Sequence, residues 1–426
     1  MKKLLFILLL TIPFIGFGQG WEQTYGGSGS DEGYSVQQTT DGGYIICGYT
    51  TSFGNGGTDV YVIKTDFQGN TLWTQTYGGT GNDRGKSIQQ TTDGGYIICG
   101  ETKSFGNGLY DFYLIKTDGS GNQLWSQTWG DTLEDNGYSV EQTTDGGYIL
   151  CGRTRSVING MTNVYIIKTD SQGNTLWTQT YGGTTGGETG KSVKQTSDGG
   201  YIICGWKDMN LYLIKTDNVG DSLWTKTYVG NGDGGNSVQQ TTDGGYIITG
   251  YTNIMLGDGN LYIVKTDSEG DTLWTKKHGG LQLEYGESIQ QTTDGGYIIC
   301  GYTWSFGNGL FDFYLIKTDG SGNQLWYQTY GGNGTEMGMS VQQTTDGGYI
   351  ICGYTDSFGN GSEDIYLIKT DSQGNITSTF NSPTPSSNRK LEKVVDILGR
   401  ETIPQPNTPF IEIYDDGTVD KKVVVE

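Results

Sequence analysis

The chain has 426 residues, 73 of them Gly and 29 Tyr, and only 33% are hydrophobic. This turn-rich composition excludes a helical bundle or coiled coil and predicts an all-β protein. The formal net charge of −21, carried without any basic run, repels phosphate backbones and excludes nucleic acid as a partner.

Met1 to Gly18 carries Lys2 and Lys3, an apolar run from Leu4 to Ile15, then Gly16 and Gly18. This order predicts a secretory signal peptide, 1–18, cut near Gln19. The apolar run is shorter than the roughly 20 residues that span a membrane, so the mature chain is expected to have no span. Loss of Lys2 and Lys3 takes the charge to −23. No Cys lies near the cut, which argues against a lipid anchor.

From here the chain repeats itself. Asp-Gly-Gly-Tyr begins at Asp41, Asp93, Asp145, Asp198, Asp243, Asp294 and Asp346, at spacings of 52, 52, 53, 45, 51 and 52 residues. A Lys-Thr-Asp triplet and a Trp-bearing segment recur in the same register, and such a period marks stacked units. In the first unit Ser35 to Thr40 is predicted as strand A and Asp41-Gly42-Gly43 as a hairpin turn using glycine's access to positive φ. Tyr44 to Tyr49 is strand B, Thr51 to Thr58 a loop, and Asp59 to Thr65 strand C. Asp66 to Asn70 is a turn, and Thr71 to Tyr77 is strand D. Strands B and C are apolar on both faces, as central strands covered on either side must be. Strand A, small and polar, suits the innermost position beside a wet channel. Four strands per period of about 50 residues, with no helical pattern between them, predict a β-propeller.

Cys47, Cys99, Cys151, Cys204, Cys300 and Cys352 occupy one register, with Thr249 in the remaining copy. Equivalent atoms of successive blades lie beyond the roughly 7 Å Cα separation that a disulfide tolerates. These residues are expected to be buried free thiols acting as small apolar side chains.

The pattern Gln-Gln-Thr-x-Asp-Gly-Gly-Tyr-Ile-Ile-x-Gly-Tyr-Thr, followed by Ile-Lys-Thr-Asp-x-x-Gly-Asn-x-Leu-Trp and Thr-Tyr-Gly-Gly, resembles the bacterial seven-bladed β-propeller (SBBP-type) repeat family over Trp21 to Asp371. It is similar to kelch repeats in element order. The resemblance implies architecture and a secreted setting and brings no catalytic residues. After it, 375–390 is a Ser/Pro/Asn-rich linker, and 391–426, with Asp396-Ile-Leu-Gly-Arg400 and Tyr414-Asp-Asp-Gly417, resembles the C-terminal sorting tails of Bacteroidota proteins exported by the type IX secretion system. A short β appendage is the alternative reading of that tail. The expected organisation is thus a signal peptide (1–18), a seven-bladed propeller of four-stranded antiparallel blades (19–374), a linker and a tail.

Antiparallel blades put the A–B and C–D turns on one face and the B–C and D–A loops on the other. The first face is monotonous, and its Asp-Gly and Gly-Asn sequences are what tight turns require; their spacing does not fit a calcium loop. The second face varies, and a rigid scaffold displays function on such loops. Ser-Phe-Gly-Asn-Gly recurs from Ser52, Ser104, Ser305 and Ser357, the third copy carries Arg153, Arg155, Val157 and Ile158, the fourth is cut to Trp206-Lys-Asp-Met-Asn210, and the fifth holds Ile254, Met255 and Leu256. A notch over blades three to five is therefore the candidate ligand site, with Trp129, Arg153, Arg155, Trp206, Lys207, Asp208 and His278 as its residues.

No catalytic, metal-ligating or cofactor-binding set is predicted. His278 has no defined partner, and Glu134 with Asp135 is an adjacent carboxylate pair in a Gly-rich loop rather than a spaced acid and base. The function expected is a monomeric, secreted or outer-surface scaffold binding protein or glycan; the alternative is a polysaccharide-acting hydrolase or lyase. Two further expectations are geometric. Glu141 and Lys194 replace the first Gln of the inner strand in adjacent blades and should neighbour each other. Trp21 to Tyr25 should pair with Ile365 to Lys369, building the last blade from both chain ends; the alternative is that Ile376 to Phe380 fills the outer position itself.

Overall fold

In the computed structural model the described residues are 20–376, apart from 159, 184–185, 231 and 253–258, together with 390–396, 402, 409–414 and 419–423. Each blade grows from its turns. Thr39 N donates to Gly43 O at 2.9 Å, Gly42 takes φ +85°, and Asp41 Oδ1 accepts from Gly43 N, so the hairpin needs a short acid followed by a glycine. The lysine of each Lys-Thr-Asp triplet then ties this turn to strand C. Lys64, 3% exposed, donates to Thr65 O at 2.8 Å and pairs with Asp41 at 3.0 Å.

These units form seven four-stranded antiparallel sheets, the first ordered Asp31–Gln38, Tyr44–Thr50, Asp59–Thr65, Thr71–Tyr77 from the inside outward. Strands C and D match their expected bounds. Strand A does not: it starts at Asp31 rather than Ser35 and ends at Gln38 rather than Thr40. The reason is a β-bulge between Gly33 and Ser35, which breaks the alternation that marks a strand in sequence.

The sheets stack face to face around a channel. Strands B and C are buried throughout, and side chains of adjacent blades share each apolar cluster, as Cys47, Val62, Ile88 and Ile98 do. The Trp of each strand D packs on the Tyr that opens strand B of the next blade, Trp73 on Tyr96 with centroids 5.9 Å apart, for example. All six cysteines are buried free thiols, and burial pushes the Cys151 and Cys300 thiols well above their usual range.

Inner strands are joined by side chains. Ser35 Oγ accepts from Ile88 N of the next blade at 3.3 Å, and Gln37 Oε1 accepts from Gln90 N at 2.6 Å. Blades three and four depart from this pattern together. Glu141 keeps the acceptor role toward Gln195 N at 2.6 Å, while Lys194 has no acceptor to offer and turns back to Glu141 at 3.7 Å.

The ring closes as expected. Trp21–Tyr25 runs antiparallel to Asp364–Thr370, with Trp21 opposite Lys369 and Tyr25 opposite Ile365. This covers the only blade edge that the repeat order leaves open. A second compact unit, 377–426, contains a three-stranded sheet of Leu391–Asp396, Pro409–Tyr414 and Val419–Val423. Residues 1–19, most of the linker and Ile254, Met255 and Leu256 lie outside the described residues.

Candidate functional site: the channel mouth on the loop face

The bulge decides where the site is. In every inner strand the sequence runs acid (Asp or Glu), variable residue, Gly, variable residue, Ser, and the second variable residue is the bulged one. An extra residue in one strand is left unpaired and its side chain is re-aimed. Here it turns toward the channel: Tyr34, Lys86, Tyr138, Lys191, Asn236, Glu287 and Met339 form a collar around the mouth on the loop face. The first variable residue pairs with strand B and forms a rim outside the collar: Glu32 opposes Tyr49, Arg84 opposes Glu101, Asn136 opposes Arg153, and Tyr285 opposes Tyr302. In a chain whose strands otherwise repeat nearly verbatim, most of the blade-to-blade change in the inner strands falls at these positions, with Glu141 and Lys194 the exception farther down the channel.

Below the collar lies a cavity of about 260 Å³ lined by the seven inner-strand serines, Lys194 and glutamines such as Gln37 and Gln89. The serine oxygens accept backbone N–H groups of the next blade, which leaves the hydroxyl hydrogens to donate. The glutamines likewise use their carbonyls on the neighbouring strand and present their NH₂ groups.

Charge is divided around the collar. Lys86 Nζ sits over the Tyr34 ring, 3.5 Å from its centroid, and Lys191 Nζ over Tyr138 at 4.1 Å. Among the described residues neither lysine has a carboxylate within ion-pair distance. Both are partly open to channel water yet walled by protein on every side, and this burial lowers their basicity, for Lys86 to about 8. Glu287 of the sixth blade is pushed up to about 7 by burial, opposed by the charge of Lys191. Glu32 accepts from Tyr34 Oη at 2.6 Å and from Tyr49, and Glu101 accepts from Asn136 and from Arg84 at 3.3 Å. Two of the three mouth carboxylates are therefore occupied by neighbours.

Aromatic rings fill the rest of the mouth, beginning beside Lys86. Tyr34 stacks on Tyr49 at 6.0 Å, Tyr285 on Tyr302 at 4.8 Å, and Tyr251 lies 5.2 Å from Tyr285. Burial raises the Tyr302 and Tyr354 phenols far above their ordinary range, so they remain neutral donors.

The residues anticipated from sequence fall in three places. Arg153 and Trp206 lie on the rim, Arg153 donating to Asn136 Oδ1 at 2.8 Å and pairing with Glu134 at 3.4 Å. Lys207 pairs with the buried Glu188 at 3.1 Å, beside a tight B–C hairpin in which Asp208 and Met209 take positive φ. Arg155 holds its own loop, donating to Gly160 O at 3.0 Å. Trp129 and His278 end outermost strands: the indole of Trp129 donates to Thr175 Oγ1 at 2.7 Å, and His278 is opposite Leu261. The collar was missed. Its only signal in the sequence is the variable position between an invariant Gly and Ser, which reads as loop until the bulge is known.

No family model matches the chain, and no curated protein matches it by sequence. Among solved structures, the WD40 domain of Pan2 from Neurospora crassa is similar at 10% identity with a TM-score of 0.51, over 80% of this chain and 89% of that one. Sqt1 from Chaetomium thermophilum aligns at 12% identity with a TM-score of 0.48, over 94% of this chain and 100% of that one. Likeness at such identity concerns the fold alone, and the fold is a seven-bladed β-propeller of four-stranded blades. No helix among the described residues is long and apolar enough to cross a membrane.

Proposed function

We propose that the chain is a monomeric, secreted or outer-surface binding module that takes a protein or glycan partner at the channel mouth. The observation that supports this most is that, Glu141 and Lys194 apart, inner-strand variation falls at the collar and rim positions around one opening. The leader-like residues 1–18, the linker, and the resemblance of 391–426 to type IX sorting tails of Bacteroidota support export. The sequence-derived residues Arg153, Trp206, Lys207 and Asp208 belong to this reading as rim or flanking positions, with Arg155, Trp129 and His278 as outlying ones.

A polysaccharide hydrolase or lyase needs carboxylates or bases free to exchange protons with substrate. The engagement of Glu32 and Glu101 by Tyr, Asn and Arg favours binding over turnover. A glycan and secreted-protein array probed with the purified chain tests the reading. Retention of a ligand that Trp206→Ala and Tyr302→Ala weaken at least tenfold is expected, with no product formed. Turnover abolished by Glu287→Gln would replace it with the enzymatic alternative. N-terminal sequencing of protein recovered from the culture medium or cell surface should begin at Gln19; intact Met1 would remove the export element.

A further inference from the structure

The cations of this acidic chain are not scattered. Seven lysines are held in the Lys-Thr-Asp ties, and Lys226, Lys276 and Lys277 lie on outer strands. All other Lys and Arg residues of the propeller come from the inner halves of blades two to four: Arg84, Lys86 and Lys103, then Arg153 and Arg155, then Lys191, Lys194 and Lys207. Blades one, six and seven contribute none. In this sector Arg84, Arg153, Lys194 and Lys207 have carboxylate partners, whereas the two collar lysines have none among the described residues. Two ammonium groups that face one walled mouth, each over a tyrosine ring and with no carboxylate at ion-pair distance, leave room for an anionic ligand to complete the site.

We infer that the channel mouth takes an acidic glycan, its uronate-type carboxylates drawn to Lys86 Nζ and Lys191 Nζ. This inference rests on the binding-module reading and names its ligand class. Two features select a sugar chain over an acidic peptide. The first is the surface: Tyr251, Tyr285, Tyr302 and Tyr354 of blades five to seven put partly exposed aromatic rings at the mouth, which suit the apolar side of a pyranose, and the serine and glutamine donors below suit hydroxyl oxygens. The second is the strand edge. An extended peptide is captured by adding to free backbone N–H groups, but the inner-strand N–H groups at Val36 and Gln38 are already taken by Ser340 and Gln342 of the neighbouring blade.

Calorimetric titration of the full chain with oligogalacturonate, a neutral cello-oligosaccharide and a Glu-rich peptide separates the outcomes. Oligogalacturonate should bind, weaken as salt is raised, and lose at least tenfold in affinity in Lys86→Met/Lys191→Met; the other two probes should bind at least tenfold more weakly. The double variant removes unpaired charges, so it is expected to fold, and its melting temperature verifies this. Binding of oligogalacturonate untouched by the double variant, or preference for the neutral sugar or the peptide, overturns the inference while leaving the binding mouth in place if Trp206→Ala and Tyr302→Ala still weaken it. Failure of oligogalacturonate to bind overturns the inference outright; if in addition no array ligand responds to Trp206→Ala or Tyr302→Ala, the binding reading falls with it.

Discussion

Trp21 and Tyr44 meet edge to face with ring centroids 5.7 Å apart, joining the first strand of the propeller, which belongs to the last blade, to the second strand of the first blade. The same contact is made within the continuous repeat by Trp326 and Tyr349 at 5.9 Å. The N-terminal segment thus supplies the packing element that the last repeat lacks, and Trp21 Nε1 also donates to Phe67 O at 3.2 Å.

Removing residues 20–27 should therefore leave the strand Asp364–Thr370 with a bare edge, lower the melting temperature and promote aggregation. Trp21→Ala alone is expected to cost about 2–3 kcal/mol, less than a fully buried Trp because the ring is only partly covered. A deleted chain carrying a second copy of Thr71–Gly79 after Asn375 should recover most of the loss, since in every other blade strand D enters from that side. Melting curves of the three proteins check this.

The pair of Glu141 and Lys194, 3.7 Å apart with side chains 20% and 42% exposed, lies in a wet site and should contribute no more than about 0–1 kcal/mol. Lys194→Gln is expected to be neutral or stabilising by up to about 1 kcal/mol, because it supplies the carbonyl acceptor that other blades offer to the next inner strand. Urea unfolding of the single variant decides the sign.

Stability should peak in mildly acidic solution. Burial raises Asp111 to about 6, helped by Asp135, and Asp312 to about 6, helped by Glu336; Glu287 rises to about 7. For these groups the folded state holds its proton more tightly than the unfolded one. Their stabilisation is complete below the unfolded pKa values of 3.8 and 4.5 and is lost as pH climbs through about 6 to 7. The turn aspartates work the other way: Asp93 and Asp145 are held at about 2, so their contribution is lost as pH falls from 3.8 toward 2. The melting temperature should be highest near about pH 4–5 and decline toward pH 7, and Glu287→Gln should flatten part of that decline. A melting temperature that rises steadily from pH 5 to 7 would contradict the assignment.

Lys86→Met should stabilise the propeller by about 1–3 kcal/mol at pH 7, because it removes an ammonium group that has no carboxylate at ion-pair distance among the described residues inside a walled channel. With the amine lowered from 10.5 to about 8, the charged form destabilises the fold below pH 8, and this cost disappears as pH rises toward 10.5. The gain from the substitution should shrink over the same window in denaturant titrations at pH 7 and pH 10.

Much of this architecture is legible in the chain itself. The Asp-Gly-Gly and Gly-Asn or Gly-Asp turns, the doubly apolar strands B and C and the recurring Trp are local statements, each needing only neighbours within about 50 residues, and repetition makes each of them seven times over. Ring closure was legible too, as the simpler of two ways to supply the strand D missing at the back. The thiol reading of Cys47 and its equivalents followed from their common register.

What only the tertiary structure decided is what depends on neighbouring blades. The doubled glutamines read as channel lining, yet Gln37 and Gln89 use their carbonyls to fasten the next blade, a contact 53 residues away in sequence. The first Gly of each Thr-Tyr-Gly-Gly segment reads as a flexible loop residue, but a Cβ at Gly78 would fall on the carboxylates of Asp59 and Asp83, which belong to different blades. The collar is the clearest case. Tyr34, Lys86, Lys191 and Glu287 occupy a stretch whose alternation is broken, and their convergence exists because a bulge turns each one inward and a ring brings blades one, two, four and six to the same opening. Local pattern fixes the blade; direction and proximity across the channel come from seven blades closing on one axis.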